Sequence, residues 1–123
     1  MAPVALTRDI FEETVTFNDI VLVDFWASWC RPCRMFAPVF EAAAERHSDI
    51  VFAKVDTEAE LELAAQFGIM SIPTMMAFRD QILIYSQSGA LPGPALEDLI
   101  TKIRDLDMDD VRRQIQEQAR VAS

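Results

Sequence analysis

The sequence predicts an α/β protein with a central mixed sheet of five strands, helices on both faces and one extra C-terminal helix. Three observations lead to this prediction. Short apolar runs alternate with amphipathic segments along most of the chain, as in proteins built on a mainly parallel sheet. Residues 20–25 are almost continuously apolar and rich in β-branched side chains, which is typical of a strand buried on both faces. Residues 74–79 and 81–88 are joined through Asp80 alone, which indicates a tight antiparallel pair.

The first half of the chain is predicted to alternate strands with helices. Thr7 is placed to cap a helix over residues 8–15, which follows a short strand at residues 4–6. After the buried strand, helical spacing extends over residues 30–47. Pro38 lies inside this helix and is expected to kink it, because proline lacks a backbone donor. The apolar side of this helix is expected to comprise Met35, Phe36, Val39, Phe40 and Ala43.

The second half is predicted to add the remaining strands and helices. A strand at residues 50–55 is followed by Thr57-Glu58-Ala59-Glu60, whose capping-box spacing predicts a short helix from there to about Gln66. Gly93-Pro94 supplies the cap and the first-turn proline of a helix that ends at about Asp105. These elements complete the predicted sheet and its cover of helices.

A last helix is predicted beyond the sheet, over residues 108–120. Its apolar side chains form one narrow stripe, so we expect it to be mostly solvated. Packing on the sheet and self-association are the other roles considered for it. We therefore divide the chain into a sheet domain, residues 1–105, and a C-terminal helical extension, residues 106–123, and expect a monomer.

Composition and charge exclude several classes of protein. The chain has 123 residues, of which 51% are hydrophobic and 25% charged; this suffices for one compact domain but not for two. Twenty acidic residues against eleven basic ones leave a net charge of −9, which disfavours nucleic-acid binding. The longest apolar run, residues 20–27, is too short to span a membrane, and the N-terminus lacks the features of a secretory signal. We therefore expect no nucleic-acid or membrane partner and a cytoplasmic location.

Cys30 and Cys33 are the two cysteines of the chain and its most informative feature. They follow the buried strand directly, at the predicted start of a helix. Unpaired N–H groups and the partial positive charge of a helix N-terminus stabilise a thiolate there, so we expect Cys30 to be a nucleophile in disulfide exchange. Cys33, one turn further on, is expected to be more buried and to attack a mixed disulfide on Cys30. Pro32 stiffens the turn between them.

Three other roles for the two cysteines are weighed against redox chemistry. A zinc site needs two further ligands, and only His47, expected to be solvated at a helix C-terminus, remains; we predict no metal site. A structural disulfide would close a loop too short to constrain the unfolded chain much. Two inert buried thiols are the third possibility. A CxxC pair beside a βαβ pattern favours redox chemistry, with no cofactor other than the Cys30–Cys33 disulfide itself.

Several segments of the chain resemble thioredoxins, in the order and at the spacing of that family. The resemblance covers residues 4 to 104 and implies the thioredoxin fold, with Cys30 attacking the target disulfide and Cys33 resolving the adduct. The matching segments are Val23-Asp24-Phe25, Trp26-Ala27-Ser28-Trp29-Cys30-Arg31-Pro32-Cys33, Ala53-Lys54-Val55-Asp56, Phe67-Gly68-Ile69, Ser71-Ile72-Pro73-Thr74 and Gly89-Ala90-Leu91.

The resemblance also assigns roles to two charged residues. Asp24 lies within an apolar strand, where an unpaired carboxylate is costly unless it takes up a proton. By resemblance it is the proton acceptor for Cys33, and Lys54 tunes it. The alternatives are a strand-end cap for Asp24 and a solvated lysine at position 54.

The resemblance further implies a substrate-binding rim. Pro73 is similar to a proline that follows a cis peptide bond in this family, although a trans proline fits the sequence alone equally well. A cis bond would expose the backbone of Ile72, with which an extended target peptide could pair. Met70, Met75 and Met76 are expected to fill the core or the groove. The predicted apolar rim around Cys30 comprises Trp29, Ile72, Pro73, Gly89 and Ala90.

Arg31 is the main departure from the family pattern, because thioredoxins usually carry glycine there. A cation beside Cys30 stabilises the thiolate and therefore the reduced form. We predict a reduction potential above the roughly −270 mV typical of thioredoxin. Ser71 and Gln81 also replace residues that are often glycine in the family.

Together these observations predict a thiol–disulfide oxidoreductase that reduces protein disulfides, with a thioredoxin reductase as its electron donor. One alternative is a binding or chaperone module on the same fold, which would keep its role without the cysteines. Another is a more oxidising redox partner dedicated to one pathway.

Overall fold

Residues 2–122 are described by a computed structural model, in which five strands and five helices follow one another in the predicted order. The α/β class is therefore confirmed. The elements are β1 (Val4–Ala5), α1 (Arg8–Thr16), β2 (Ile20–Trp26), α2 (Arg31–Arg46), β3 (Val51–Asp56), α3 (Leu61–Gln66), β4 (Thr74–Arg79), β5 (Ile82–Ser88), α4 (Gly93–Asp105) and α5 (Met108–Ala122).

The strands form one mixed sheet in the order β1-β3-β2-β4-β5. The central strand β2 pairs with β3 in parallel and with β4 in antiparallel orientation. This register places Asp24 between Lys54 of β3 and Met75 of β4. The β4–β5 pair is antiparallel, as predicted, and its turn consists of Asp80 and Gln81, both with positive φ. Two consecutive residues of this kind are typical of the tight hairpin turns that match strand twist.

The apolar side chains of β2 divide between two cores, one on each face of the sheet. Leu22 packs among residues of α2 and α4, including Phe36, Phe40 and Ile100. Val23, the next residue, packs on the opposite face, where α1 and α3 cover the sheet. The nearly continuous apolar run of β2 is thus explained by burial on both faces. Because side chains alternate along a strand, Asp24 shares the face of Leu22, which is the face covered by α2.

Helix α3 begins later than the capping-box pattern predicted. The side chain of Thr57 donates to the carbonyl oxygen of Trp26 (3.0 Å) instead of capping a helix. The carboxylate of Glu60 accepts from the backbone N–H of Arg8 (2.8 Å). Since both side chains of the supposed capping box have distant partners, residues 57–60 precede the helix and α3 starts at Leu61.

Two predictions about α2 are wrong. Met35 is 64% exposed, whereas Phe36, Phe40 and Ala43 are buried; the buried side of the helix excludes Met35. His47 is half-buried rather than solvated. Its Nε2 lies 2.7 Å from a carboxylate oxygen of Glu97, and Arg104 donates to its Nδ1 (3.0 Å). Both partners belong to α4, so only the packing of α4 against α2 brings them to the ring.

Helix α5 lies beside the edge strand β5 and leaves most of its surface exposed. Met108 is buried and Val111 is half-buried, but Ile115 and Val121 are exposed. This agrees with the expectation of a mostly solvated helix.

Candidate redox site

The two cysteines lie at the N-terminus of α2 and form a disulfide. Cys30 is the N-cap residue, and its Sγ accepts a hydrogen bond from the backbone N–H of Cys33 (3.2 Å). The two Cα atoms are 5.2 Å apart. An N–H donor and the positive end of the helix dipole therefore face Cys30 Sγ. This arrangement would stabilise a negative charge on that sulfur once the disulfide is reduced.

Cys30 and Cys33 differ in their access to the surface. Both residues are buried, at 4% and 2% exposure, but only Cys30 lines the wall of an open groove of about 600 Å³. A target sulfur can therefore approach Cys30 from this groove, while Cys33 lies behind it. The groove is lined by Trp29, Cys30, Arg31 and Pro32 at the start of α2, by Thr57, Leu61, Ala64 and Ala65 around α3, and by Ile69, Met70, Ser71 and Ile72 before β4.

The segment before β4 faces the disulfide. The carbonyl oxygen of Ile72 lies 3.6 Å from Cys30 Sγ, and the Ile72–Pro73 peptide bond is cis, as predicted from the resemblance. Pro73 itself is fully buried, and its carbonyl oxygen accepts a hydrogen bond from the N–H of Gly89 (2.8 Å). Gly89 and Ala90 are exposed on this neighbouring loop and do not line the groove. The structure therefore brings Trp29 and Ile72 together in the groove, with Pro73 beneath it.

Asp24 is a buried acid that has no hydrogen-bond partner among the described residues. Its side chain is 0% exposed, and within residues 2–122 neither carboxylate oxygen has a donor. Desolvation by burial raises the pKa of Asp24 from 3.8 to about 7, although the positive charge of Lys54 acts in the opposite direction. A carboxyl group of this kind exchanges a proton readily near neutral pH. It lies on the face of the sheet covered by α2, the helix that carries Cys33.

Lys54 is half-buried beside Asp24 on the neighbouring strand. Its Nζ lies 4.6 Å from the centre of the Trp26 ring, and Trp26 packs against the buried cluster that contains Ala27 and the two cysteines. The lysine is therefore the register partner of Asp24, and its ammonium group lies over the Trp26 ring.

Trp29 is held by a residue that the sequence did not indicate as part of the site. Its indole N–H donates to a carboxylate oxygen of Glu58 (2.6 Å), which ties the start of α2 to the segment before α3. Leu61, Ala64 and Ala65 of α3 also line the groove and were not predicted, since nothing in their local sequence marks them. The one sequence signal for Glu58 was the Trp29 indole N–H itself, because such a group generally finds a polar partner.

Neither a metal cluster nor a membrane span is found in the part of the chain that the structure describes. Over residues 2–122, no three histidine, cysteine or acidic side chains converge on a common point. None of the helices in that range has the length and apolar character needed to cross a bilayer.

Comparison with known proteins agrees with this site. The thioredoxin family model matches residues 2–102. A Streptomyces coelicolor protein named "Putative thioredoxin 2" is 56% identical over 115 residues, which are 94% of this chain and 86% of that protein. Thioredoxin of Bacillus subtilis is 38% identical over 103 residues, covering 83% of this chain and 98% of its own length.

A solved structure supports the same assignment. A mutant thioredoxin from Halobacterium salinarum superposes with a TM-score of 0.79 at 34% identity, and the match covers 85% of this chain and 93% of that one. With a disulfide at the N-terminus of α2, a cis proline facing it and a family match over most of its length, this chain belongs to the thioredoxin family of thiol–disulfide oxidoreductases.

Proposed function

We propose that this protein reduces disulfide bonds in other proteins, with Cys30 as the nucleophile and Cys33 as the resolving cysteine. The observation that carries the proposal is the position of Cys30 at a helix N-terminus and on the wall of an open apolar groove. Cys33 lies one turn inside the same helix, within disulfide-bonding distance. Thioredoxin-family proteins act on protein substrates, and the groove beside Cys30 is open to solvent, so a segment of a folded protein can reach the sulfur.

The proposed reaction has two exchange steps. The Cys30 thiolate attacks one sulfur of the target disulfide, which forms a mixed disulfide and releases the other target sulfur as a thiolate. Cys33 then loses its proton and attacks Cys30 Sγ, which closes the Cys30–Cys33 disulfide and releases the second target thiolate. Asp24 is proposed as the acceptor of the Cys33 proton, and Lys54 as the charge that tunes it. Two electrons pass from the cysteine pair to the target, so the pair must be reduced again, and we propose a thioredoxin reductase as the donor.

Dithiothreitol-driven reduction of insulin tests the proposal. Wild type should accelerate insulin precipitation, and Cys30→Ser should lose essentially all of this activity because it removes the attacking sulfur. Cys33→Ser should retain the first step and accumulate a mixed disulfide with its target, visible as a covalent adduct on non-reducing gels. Activity in Cys30→Ser comparable to wild type would contradict the proposed roles. Full activity after dialysis against a chelator is expected, because the exchange uses only the two cysteine sulfurs.

A binding module on the same fold is a second candidate, favoured by the apolar groove itself. Trp29, Leu61 and Met70 are large, exposed apolar residues on its walls, and such clusters mark interaction sites. A double variant, Cys30→Ser with Cys33→Ser, separates the two functions. A phenotype rescued by this double variant in cells that lack the protein would favour binding, whereas loss of rescue supports disulfide reduction.

We also propose that the protein is a cytoplasmic monomer without nucleic-acid or membrane partners. The net charge of −9 supports the absence of nucleic-acid binding. Cell fractionation and light scattering after gel filtration test location and mass.

A further inference from the structure

Met70 is an exposed methionine on the wall of the groove that leads to Cys30. Its side chain is 96% exposed, more than any other large apolar side chain in residues 2–122. It lies between α3 and β4, two residues before Ile72, whose carbonyl oxygen faces Cys30 Sγ. Ile69 and Leu61 line the groove with it. A substrate bound in the groove would therefore cover the Met70 thioether.

The methionines of this protein differ widely in their access to oxidants. Met75, Met76 and Met108 are buried. Met35 is 64% exposed on α2 but does not line the groove. Oxidation of methionine requires access to the sulfur and converts an apolar side chain into a polar one. Met70 thus combines the greatest access among these side chains with a position where a change of polarity affects substrate contact.

We propose that Met70 is an oxidation site through which hydroperoxides weaken the binding of protein substrates. In this step the thioether sulfur attacks the O–O bond, takes one oxygen atom and becomes a sulfoxide; the sulfur loses two electrons, and the hydroperoxide is reduced to an alcohol or to water. The proposal rests on the proposed disulfide reduction and concerns regulation of the same groove. The sulfoxide lies outside the Cys30–Cys33 pair, so the exchange chemistry itself is unaffected.

The disulfide form of the protein makes this modification testable apart from cysteine oxidation. Cys30 and Cys33 are protected from peroxide while they are bonded to each other. Thiol–disulfide exchange restores the cysteines afterwards and leaves the sulfoxide in place, because sulfoxide reduction needs dedicated enzymes. Treatment with hydrogen peroxide, removal of the peroxide and assay with dithiothreitol therefore isolate the effect of methionine oxidation.

Peptide mass spectrometry and kinetics together decide the question. In treated wild type, Met70 sulfoxide should form before Met35 sulfoxide and well before any at Met75. The KM for insulin should rise about fivefold, the effect expected for loss of one modest apolar contact, while the rate with hydroxyethyl disulfide, too small to fill the groove, should not change. Met35→Leu should respond to peroxide as wild type does, and Met70→Leu should show the same KM before and after treatment.

Some results would overturn the proposal about Met70, and another would refute the proposed function instead. Met70 that oxidises no faster than Met35, or Met70 sulfoxide with an unchanged KM for insulin, overturns the proposal. An equal rise of KM in treated Met70→Leu places the effect elsewhere in the molecule and also overturns it. Failure of untreated wild type to reduce insulin, by contrast, refutes the proposed function itself, and the inference falls with it. The exposed position of Met70 makes it a site where substitution leaves the core intact.

Discussion

At the scale of single residues, Asp24 is an acid placed where its charged form is costly. It sits in the central strand between Lys54 and Met75, fully buried and without a hydrogen-bond donor within the described part of the chain. Burial raises its pKa to about 7, so the folded protein holds a proton that the unfolded chain releases near pH 4. Folding stability must therefore depend on pH through this residue.

Asp24→Asn should remove this pH dependence. Between about pH 4 and pH 7 the folded state binds more protons at Asp24 than the unfolded state, so the unfolding free energy of wild type falls as the pH rises through that window. The shift from 3.8 to about 7 corresponds to a loss of roughly 4 kcal/mol at most. Urea denaturation of the disulfide form at pH 4.5 and pH 8.5 measures the change in unfolding free energy for wild type and for Asp24→Asn.

The pH slope is the informative quantity, because asparagine leaves a buried amide whose own cost lowers stability at every pH. Asp98→Asn, at an exposed acid of α4, is the matched control. It should change the difference in unfolding free energy between pH 4.5 and pH 8.5 much less than Asp24→Asn does. If the stability of wild type rises relative to that of Asp24→Asn between pH 4.5 and pH 8.5, the pKa of Asp24 is not raised by folding.

Arg31→Gly should lower the reduction potential of the cysteine pair. Arg31 follows Cys30 directly and is exposed at the first position of α2. Its charge favours the Cys30 thiolate and thus the reduced form, but solvent screens it, so we expect an effect of about 0.5 kcal/mol, or ~10 mV. Equilibration with glutathione buffers measures both proteins. A variant with the same or a higher potential than wild type would show that Arg31 does not tune the pair.

At the scale of secondary-structure elements, the end of α4 is secured by a side chain from the sheet. Arg79, the last residue of β4, donates from Nη1 to the carbonyl oxygens of Ile103 (2.7 Å), Arg104 (3.2 Å) and Leu106 (2.8 Å). The last carbonyl groups of a helix have no partner within it, and a cation there also complements the helix dipole. One guanidinium thus joins the sheet, α4 and the turn that leads to α5.

Arg79→Met should destabilise the protein by about 2–3 kcal/mol, because three half-buried carbonyl groups lose a charged donor. Arg113→Met is the control. Arg113 is exposed and pairs with Asp110 on the same helix, an arrangement worth only about 0.5 kcal/mol or less. Chemical denaturation compares the two variants; equal losses would show that the Arg79 hydrogen bonds contribute no more than a surface ion pair.

At the scale of the whole molecule, α5 adds little buried surface to a sheet that is already covered. The family model ends at residue 102, before α5 begins. The match to the Streptomyces coelicolor relative covers 94% of this chain. Wherever the match begins, it is too long to end before α5. At least part of the extension is therefore aligned with that relative, although the redox site lies on other elements.

A chain that ends after Asp105 should fold and reduce insulin at the wild-type rate. It loses one buried side chain of α5, Met108, and the Leu106 carbonyl that accepts from Arg79, so we expect the unfolding free energy to fall by about 2–3 kcal/mol and the melting temperature by roughly 10 °C. Met108→Ala in the full chain should reproduce most of this loss. Light scattering should give the mass of a monomer for both lengths. Dimeric full-length protein beside a monomeric truncation would instead assign α5 a role in self-association.

Local sequence was sufficient to predict the order of elements and the redox pair. The apolar run of β2 and the spacing of Cys30 and Cys33 depend only on neighbours along the chain. The start of α3 was predicted wrongly because Thr57 and Glu60 bond to residues 31 and 52 positions away. His47 was misjudged for the same reason, since its partners lie on α4.

The reactive groups follow from the amino-acid sequence alone: covalent order and local periodicity set two sulfurs one helical turn apart and an acid inside an apolar strand. The groove, in which Leu61 and Met70 lie with Trp29, forms only when the whole chain folds, and the same folding brings Glu58 to the Trp29 indole. These contacts join segments far apart in the chain, and their energies arise from burial and hydrogen bonds that exist only after the sheet has brought the segments together.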